Sequence, residues 1–246
     1  MNLLAFDTST DVMSVAVQGT LDGAPRVWLH SGPGGALTSA SLIPSIERLM
    51  AQAQLRYEQL DAIAFGSGPG SFTGLRTACA VAQGLAFGAD VPVLPIDTLL
   101  AVAEEARHQQ GTGLASCQVL ALLDARMDEM YVAGYAFEHG HWQQIQVDSL
   151  VRPEDLVYEA HWLLAGNGFA AYGARLPGPR PGAGAPVAAD PARHVTALPS
   201  ASALLRLAPA LLVTGAALRA EQALPRYIRD KVAKTPLERA AEKPAL

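Results

Sequence analysis

Asp7-Thr8-Ser9-Thr10 is the first group in the chain whose residue types and spacing could do chemistry. In a turn at the end of a strand, backbone amides and hydroxyls can face phosphates, and the carboxylate can organise hydrated magnesium. The same four residues also suit an Asx or Ser/Thr turn that merely closes a hairpin. A second group spans 66–76 and contains Gly68, Pro69, Gly70, Ser71, Phe72, Thr73, Gly74 and Arg76. Its glycines permit close backbone approach, and a helix starting there would offer unpaired amides to an anion. It lacks both the lysine-bearing phosphate-loop spacing and the G-x-G-x-x-G order of dinucleotide binders. A tight turn fixing the angle between a strand and a helix is an equally good reading of it. In the third group, Asp124-Ala125-Arg126 with Asp128 and Glu129, Asp124 could mirror Asp7. Alternatively, the stretch is a solvated turn with local ion pairs worth little.

Several chemistries lack their signatures. None of the six histidines forms an H-E-x-x-H or a His-x-x-x-His pair, so no metal site is expected. No G-x-S-x-G elbow marks a hydrolase nucleophile. Cys79 and Cys117 sit in apolar runs, as small buried hydrophobes do. The net charge of -5 gives no long-range pull towards nucleic acid, so any work on RNA would rely on another subunit for backbone contacts. Only 17% of residues are charged, which fits a surface partly covered by a partner or simply an Ala- and Gly-rich chain. The first residues, MNLLAFDTSTD, do not read as a signal peptide, and no apolar window reaches membrane-span length. The expectation is a cytoplasmic protein with no membrane contact.

The elements that must position these groups follow from hydrophobic period. Strands are expected over 2–6, 13–18 and 26–30, an antiparallel opening unlike a dinucleotide fold. A helix is expected over 39–54, with Leu42, Ile46 and Leu49 at helical spacing and Pro44 tolerated only near its start. A strand over 62–65 leads into the glycine-rich loop, then a helix over 75–87 ending at Gly88 and carrying Ala78, Val81, Ala82 and Leu85. A strand over 91–94 should break at Pro95, and Thr98 should cap a helix reaching 109. Residues 111–115 read as a boundary. Beyond it come strands over 119–123, 130–137 and 142–147, a short helix over 153–160, and a strand over 163–165. A Gly/Pro-rich loop over 173–186 and a helix over 200–212, broken at Pro209, complete the pattern. The expected division is an N-terminal lobe at 1–110, a C-terminal lobe at 111–220 and a polar tail at 221–246. Each half opens with a strand ending in aspartate; two such halves facing each other would make a cleft, while a strand followed by an Asp turn is common enough for the match to be coincidence.

Taken together, Asp7-Thr8-Ser9, the stretch Gly68-Pro69-Gly70-Ser71-Phe72-Thr73-Gly74-Leu75-Arg76, Ala82-Gln83-Gly84-Leu85-Ala86, Asp124-Ala125-Arg126 with Glu129, Met130 and Tyr131, and Pro225-Arg226-Tyr227-Ile228-Arg229 resemble the bacterial TsaB family, older name YeaZ. The resemblance spans most of the chain. It implies a two-lobed α/β fold of the actin/Hsp70/sugar-kinase (ASKHA) type, with duplicated mixed sheets flanked by helices. It implies a non-catalytic scaffold in making threonylcarbamoyladenosine beside the tRNA anticodon. The implied partners are a metal-binding catalytic paralogue of the TsaD type and a small ATPase of the TsaE type. tRNA would be met only through the complex, and the isolated chain could form a homodimer. No cofactor of its own is implied, although ATP or ADP could lie at the complex interface. The stretch 39–49 has no histidine where the catalytic paralogue carries its metal pair, so neither transfer nor peptidase chemistry is assigned. Expected nucleotide or loop contacts are Asp7, Thr8, Ser9, the loop from Gly68 to Gly74, Arg76, Asp124 and Arg126. Expected interface residues are Leu42, Ile46, Leu49, Ala78, Val81 and Leu85, some of which must be core. A stand-alone kinase or ATPase of the same fold and a self-pairing structural protein are the alternatives.

Overall fold

The apolar run LLAFD forms β1 (Leu3–Asp7), buried along its whole length in the computed structural model, which describes residues 1–111, 115–180 and 194–229. A continuous apolar run suits a strand covered by helices on both faces. β1 is central in a five-stranded sheet. On one side it runs antiparallel to β2 (Val12–Leu21), which pairs with β3 (Ala24–Pro33). On the other it runs parallel to β4 (Ala62–Gly68), which pairs with β5 (Val93–Asp97). A second sheet contains β6 (Ser116–Asp124), β7 (Met130–Glu138), β8 (His141–Val151), β9 (Leu163–Gly166) and β10 (His194–Val195). In both sheets the strand order, by appearance in the chain, is third, second, first, fourth, fifth. The two halves therefore repeat one topology.

Helices α1 (Thr38–Ala53) and α2 (Phe72–Ala89) cover the outer face of the first sheet, where Leu42, Ile46, Leu49 and Ala78 meet Leu4, Phe6, Val15, Ile63 and Phe65. Between the sheets lie α3 (Thr98–Gln109) and α5 (Ala201–Val213). Each serves the sheet of the other half. α3 places Leu99, Val102 and Ala106 against Val119, Ala121 and Leu123. α5 places Leu204, Leu207 and Ala208 against Leu3, Ala5 and Ala64. α5, counted with the C-terminal half in the sequence, thus packs on the N-terminal sheet. A short α4 (Gly168–Tyr172) follows β9.

Several local expectations are also corrected. α1 runs through Pro44 instead of starting there, and α5 runs through Pro209; both prolines lie on exposed positions, where losing one helical hydrogen bond is tolerated. Pro95 does not break β5, because β5 is an edge strand whose main partner is β4, and an edge tolerates a missing donor. The cap of α3 is Asp97 and not Thr98: its Oδ1 accepts from the amides of Leu99 and Leu100 at 2.7 and 3.0 Å. α2 does not stop at Gly88 but runs to Ala89, with Asp90 in the left-handed conformation as its cap. The expected helix over 153–160 is only a single 3-10 turn, Pro153–Asp155. Residues 112–114 of the boundary loop and residues 181–186 of the Gly/Pro-rich loop lie outside the described residues.

Candidate functional site

The first two sequence groups pack directly against each other. Thr8, at the end of β1, donates its hydroxyl to the Gly74 carbonyl at 2.7 Å, and the Ser71 amide donates to the Ser9 carbonyl at 2.8 Å. A Cβ on Gly74 would collide with the Thr8 carbonyl, so only glycine lets α2 start this close to β1. The Gly68–Pro69 peptide before it is cis. Ser71 caps α2 through its side chain, which accepts from the Gly74 amide at 3.5 Å.

Asp7 is fully buried. Its Oδ1 accepts from the Ser9 amide at 2.9 Å and the Ser9 hydroxyl at 2.6 Å, the closed geometry of an Asx turn. Its Oδ2 packs against Gly66 and has no partner among the described residues. Burial pushes the carboxyl up to about 6, outweighing the two Ser9 hydrogen bonds.

Asp124 closes β6 as Asp7 closes β1. Its Oδ1 accepts from the Arg126 amide and the Tyr172 hydroxyl, both at 2.8 Å, while its own amide donates to Asn167 Oδ1. Residues Arg126, Met127 and Asp128 are all left-handed, at φ 61°, 57° and 60°. Three consecutive non-glycine residues there cost roughly 1–2 kcal/mol each, and ion pairs hold the turn. Arg229 donates to the Arg126 carbonyl and to Glu129, and Arg175 pairs with Asp128. Arg126 Nη2 reaches across to Asp11 Oδ2 at 2.7 Å, an exposed link between the lobes.

The two aspartate turns thus face one another across a cleft of about 370 Å³. Of the expected contact residues, Ser9, Gly70, Ser71, Phe72, Thr73, Asp124 and Arg126 line it. Asp7, Thr8, Gly68, Pro69, Gly74 and Arg76 lie outside its lining; Asp7 and Thr8 are buried beneath it. Asp7 as packed therefore supports the turn and does not face the cleft. The residues that sequence reasoning missed as contacts include Asn167, Tyr131 and Arg229. Asn167 lies in a Gly-Asn-Gly turn after β9 that carries no chemical signature of its own, and Arg229 was legible as part of the Pro225–Arg229 stretch and the polar tail but not as a cleft residue. Hydroxyls of Ser9, Thr10 and Thr73 and the start of α2 line the cleft beside two guanidinium groups that already have carboxylate partners, Arg126 with Asp11 and Asp124 and Arg229 with Glu129. Among the described residues no cluster of three or more His, Cys, Asp or Glu is placed to hold a metal ion, and no helix is long and apolar enough to cross a membrane.

The expected interface residues divide sharply. Leu42, Ile46, Leu49 and Ala78 are core residues with at most 2% of their surface exposed, so that expectation is corrected for them. They sit on the inward stripes of α1 and α2, and a helical period marks an apolar stripe without saying what covers it. Val81 and Leu85 are half-buried on the flank of α2. The surface beside them consists of Ala80, Gly84 and Gly88 with Phe87, which is 79% exposed. Leu37 and Ile43 are the exposed apolar residues of the neighbouring α1 region.

Residues 37–237 match the family model described as TsaD, tRNA N6-adenosine threonylcarbamoyltransferase. The tRNA threonylcarbamoyladenosine biosynthesis protein TsaB of Escherichia coli is 31% identical over 95% of this chain and 96% of its own length. The protein of the same name from Haemophilus influenzae is 37% identical over 70% of this chain and 74% of its own. Among solved structures, YeaZ from Pseudomonas aeruginosa superposes with a TM-score of 0.76 at 37% identity, covering 92% of this chain and 99% of that one.

Proposed function

Because the chain belongs to the bacterial TsaB (YeaZ) family of tRNA threonylcarbamoyladenosine biosynthesis proteins, we propose that it serves as the non-catalytic partner subunit of the machinery that threonylcarbamoylates the adenosine beside the tRNA anticodon. Its partners are a TsaD-type catalytic paralogue and a TsaE-type ATPase. It works in the cytoplasm, and tRNA reaches it only through the complex, in keeping with a net charge of -5.

The observation that carries the docking part of this reading is the outward face of α2. Ala80, Gly84 and Gly88 recur every four residues on exposed positions, so they line one side of the helix. A Cβ at Gly84 or Gly88 would meet nothing within 4 Å, so packing within the chain does not require glycine there. A small, apolar helix face edged by Phe87, Val81 and Leu85 suits close approach of a second helix. The paralogue shares this fold, so its equivalent helices are the natural occupants. In the absence of the paralogue the same face would pair with a second copy. The cleft, with Arg126 and Arg229, would take ATP or ADP only as the complex forms.

Reconstitution tests the reading: tRNA, TsaD-type paralogue, TsaE-type ATPase and threonylcarbamoyl-adenylate synthase are combined with and without this chain. The expected result is modification that requires the chain, while the chain alone transfers nothing. Full modification without it would overturn the assignment.

A further inference from the structure

The segment 223–229, counted with the polar tail in the sequence, is built into both lobes. It follows Leu218, which pairs with Val93 at the edge of β5. Its first bonds go to α2 and the end of β4. Gln83 Nε2 donates to the Ala223 carbonyl at 2.9 Å, and the Arg226 amide donates to the Ser67 carbonyl at 2.7 Å. The Tyr227 ring stacks on Phe72 with centroids 4.6 Å apart, and Arg76 Nε donates to the Tyr227 hydroxyl at 3.1 Å. Gly68, at φ 121°, sits where any Cβ would strike the Arg226 carbonyl, so the loop is shaped around this segment. Its side chains also reach the other lobe. The Arg226 guanidinium pairs at once with Asp97, at the start of α3, and with Asp148 on β8. Arg229 pairs with Glu129 at 2.6 Å, with only 9% of its side chain exposed.

We propose that 223–229 is a coupling strap, with Arg226 and Tyr227 as positioning residues, that links the placement of α2 to the angle between the lobes. Opening the cleft would draw Asp148 away from Asp97 and break the guanidinium fork that joins them. The same movement would pull on Ser67, Gly68 and Phe72, and so on the first turns of α2. Any partner that binds α2 in one placement must then favour one lobe angle, and the coupling acts equally in both directions. The identity of that partner rests on the function proposed above; the strap itself does not.

The test uses the full chain with spin labels at Arg56→Cys and His139→Cys, one exposed site per lobe, in a Cys117→Ser background. In the isolated protein, Arg226→Ala should broaden the distance distribution between lobes and speed amide exchange over 75–83. Tyr227→Ala should speed exchange over the same stretch, whereas Tyr227→Phe, which keeps the ring stack, should match the parent. With the TsaD-type paralogue added, the parent distribution should narrow, and Arg226→Ala and Tyr227→Ala should bind about ten-fold more weakly. Tyr227 is 41% exposed, so its variants keep the test valid if Arg226→Ala fails to fold. Unchanged exchange and unchanged distances in the isolated variants would overturn the strap. So would equal paralogue affinity in variants whose lobes have loosened. If the parent does not bind the paralogue while the isolated-chain changes occur, the partner reading fails and the strap stands.

Discussion

At the scale of single residues, Asp7 carries a charge in a place poorly suited to it. Its carboxyl is sealed under the cleft, and burial raises it from 3.8 to about 6. The unfolded chain ionises this group near pH 4, whereas the folded chain keeps the proton until about pH 6. The folded state therefore binds more protons across that window, and stability falls as pH rises through it. The full effect is at most about 3 kcal/mol. Urea denaturation at pH 4.5 and pH 7 should show the parent losing stability relative to Asp7→Asn at the higher pH. A constant difference between the two proteins would mean that the carboxyl titrates normally. Sequence could place an aspartate at the end of β1 but could not tell a cleft-facing carboxylate from a buried Asx turn. Four residues of turn chemistry serve both, and only the packing of Gly66 against Oδ2 decides.

At the scale of elements, α2 has two faces with opposite duties. The inward face holds Ala78, Ala82 and Ala86 against the sheet, and the outward face holds Ala80, Gly84 and Gly88. Gly84→Ala should stabilise the isolated chain by about 1 kcal/mol, because glycine is a poor helix former and open space surrounds this position. Gly84→Arg should fold normally yet lose the paralogue, read by analytical ultracentrifugation of the mixture. Leu42→Ala on α1 should do the reverse in kind, costing about 2–5 kcal/mol of stability through a core cavity. A chain carrying Gly84→Arg that still forms the complex would move the docking face elsewhere. The helix itself was legible from its period, but its first turn was not. Phe72-Thr73-Gly74 reads as loop until Ser71 is seen to cap it and Thr8 to hold Gly74.

At the scale of the whole molecule, the largely apolar joint between the halves contains one buried polar cluster. Glu104 of α3 accepts from Arg107 at 2.9 Å, from Trp142 of β8 at 3.0 Å and from Arg206 of α5 at 2.8 Å. Burial alone would raise its carboxyl, but these bonds outweigh it and hold it below the ordinary glutamate range. This contribution is fully present above that range and is lost as pH falls through the lowered value, the opposite sign to Asp7. Glu104→Ala leaves two guanidinium groups and an indole short of an acceptor and should cost about 3–5 kcal/mol. Thermal unfolding at pH 7 checks it; a drop no larger than that of an exposed glutamate would show the cluster to be dispensable.

By itself the sequence determined the local patterns, the paired strand-ending aspartates, the alternating runs and the 68–76 loop, and through them the family resemblance that implies a two-lobed plan. A cleft between the halves followed only if those halves face each other. Only the tertiary structure decided that α3 and α5 each serve the opposite sheet, since an apolar stripe does not name its partner. Only it showed Leu42, Ile46 and Leu49 to be core and the small-residue face of α2 to be open. Arg226 and Arg229 read as tail charges because their carboxylates, Asp97, Asp148 and Glu129, stand 129, 78 and 100 residues away in the chain. Ion pairs at such separations leave no periodic trace in a sequence; they exist only once the two sheets have been brought face to face.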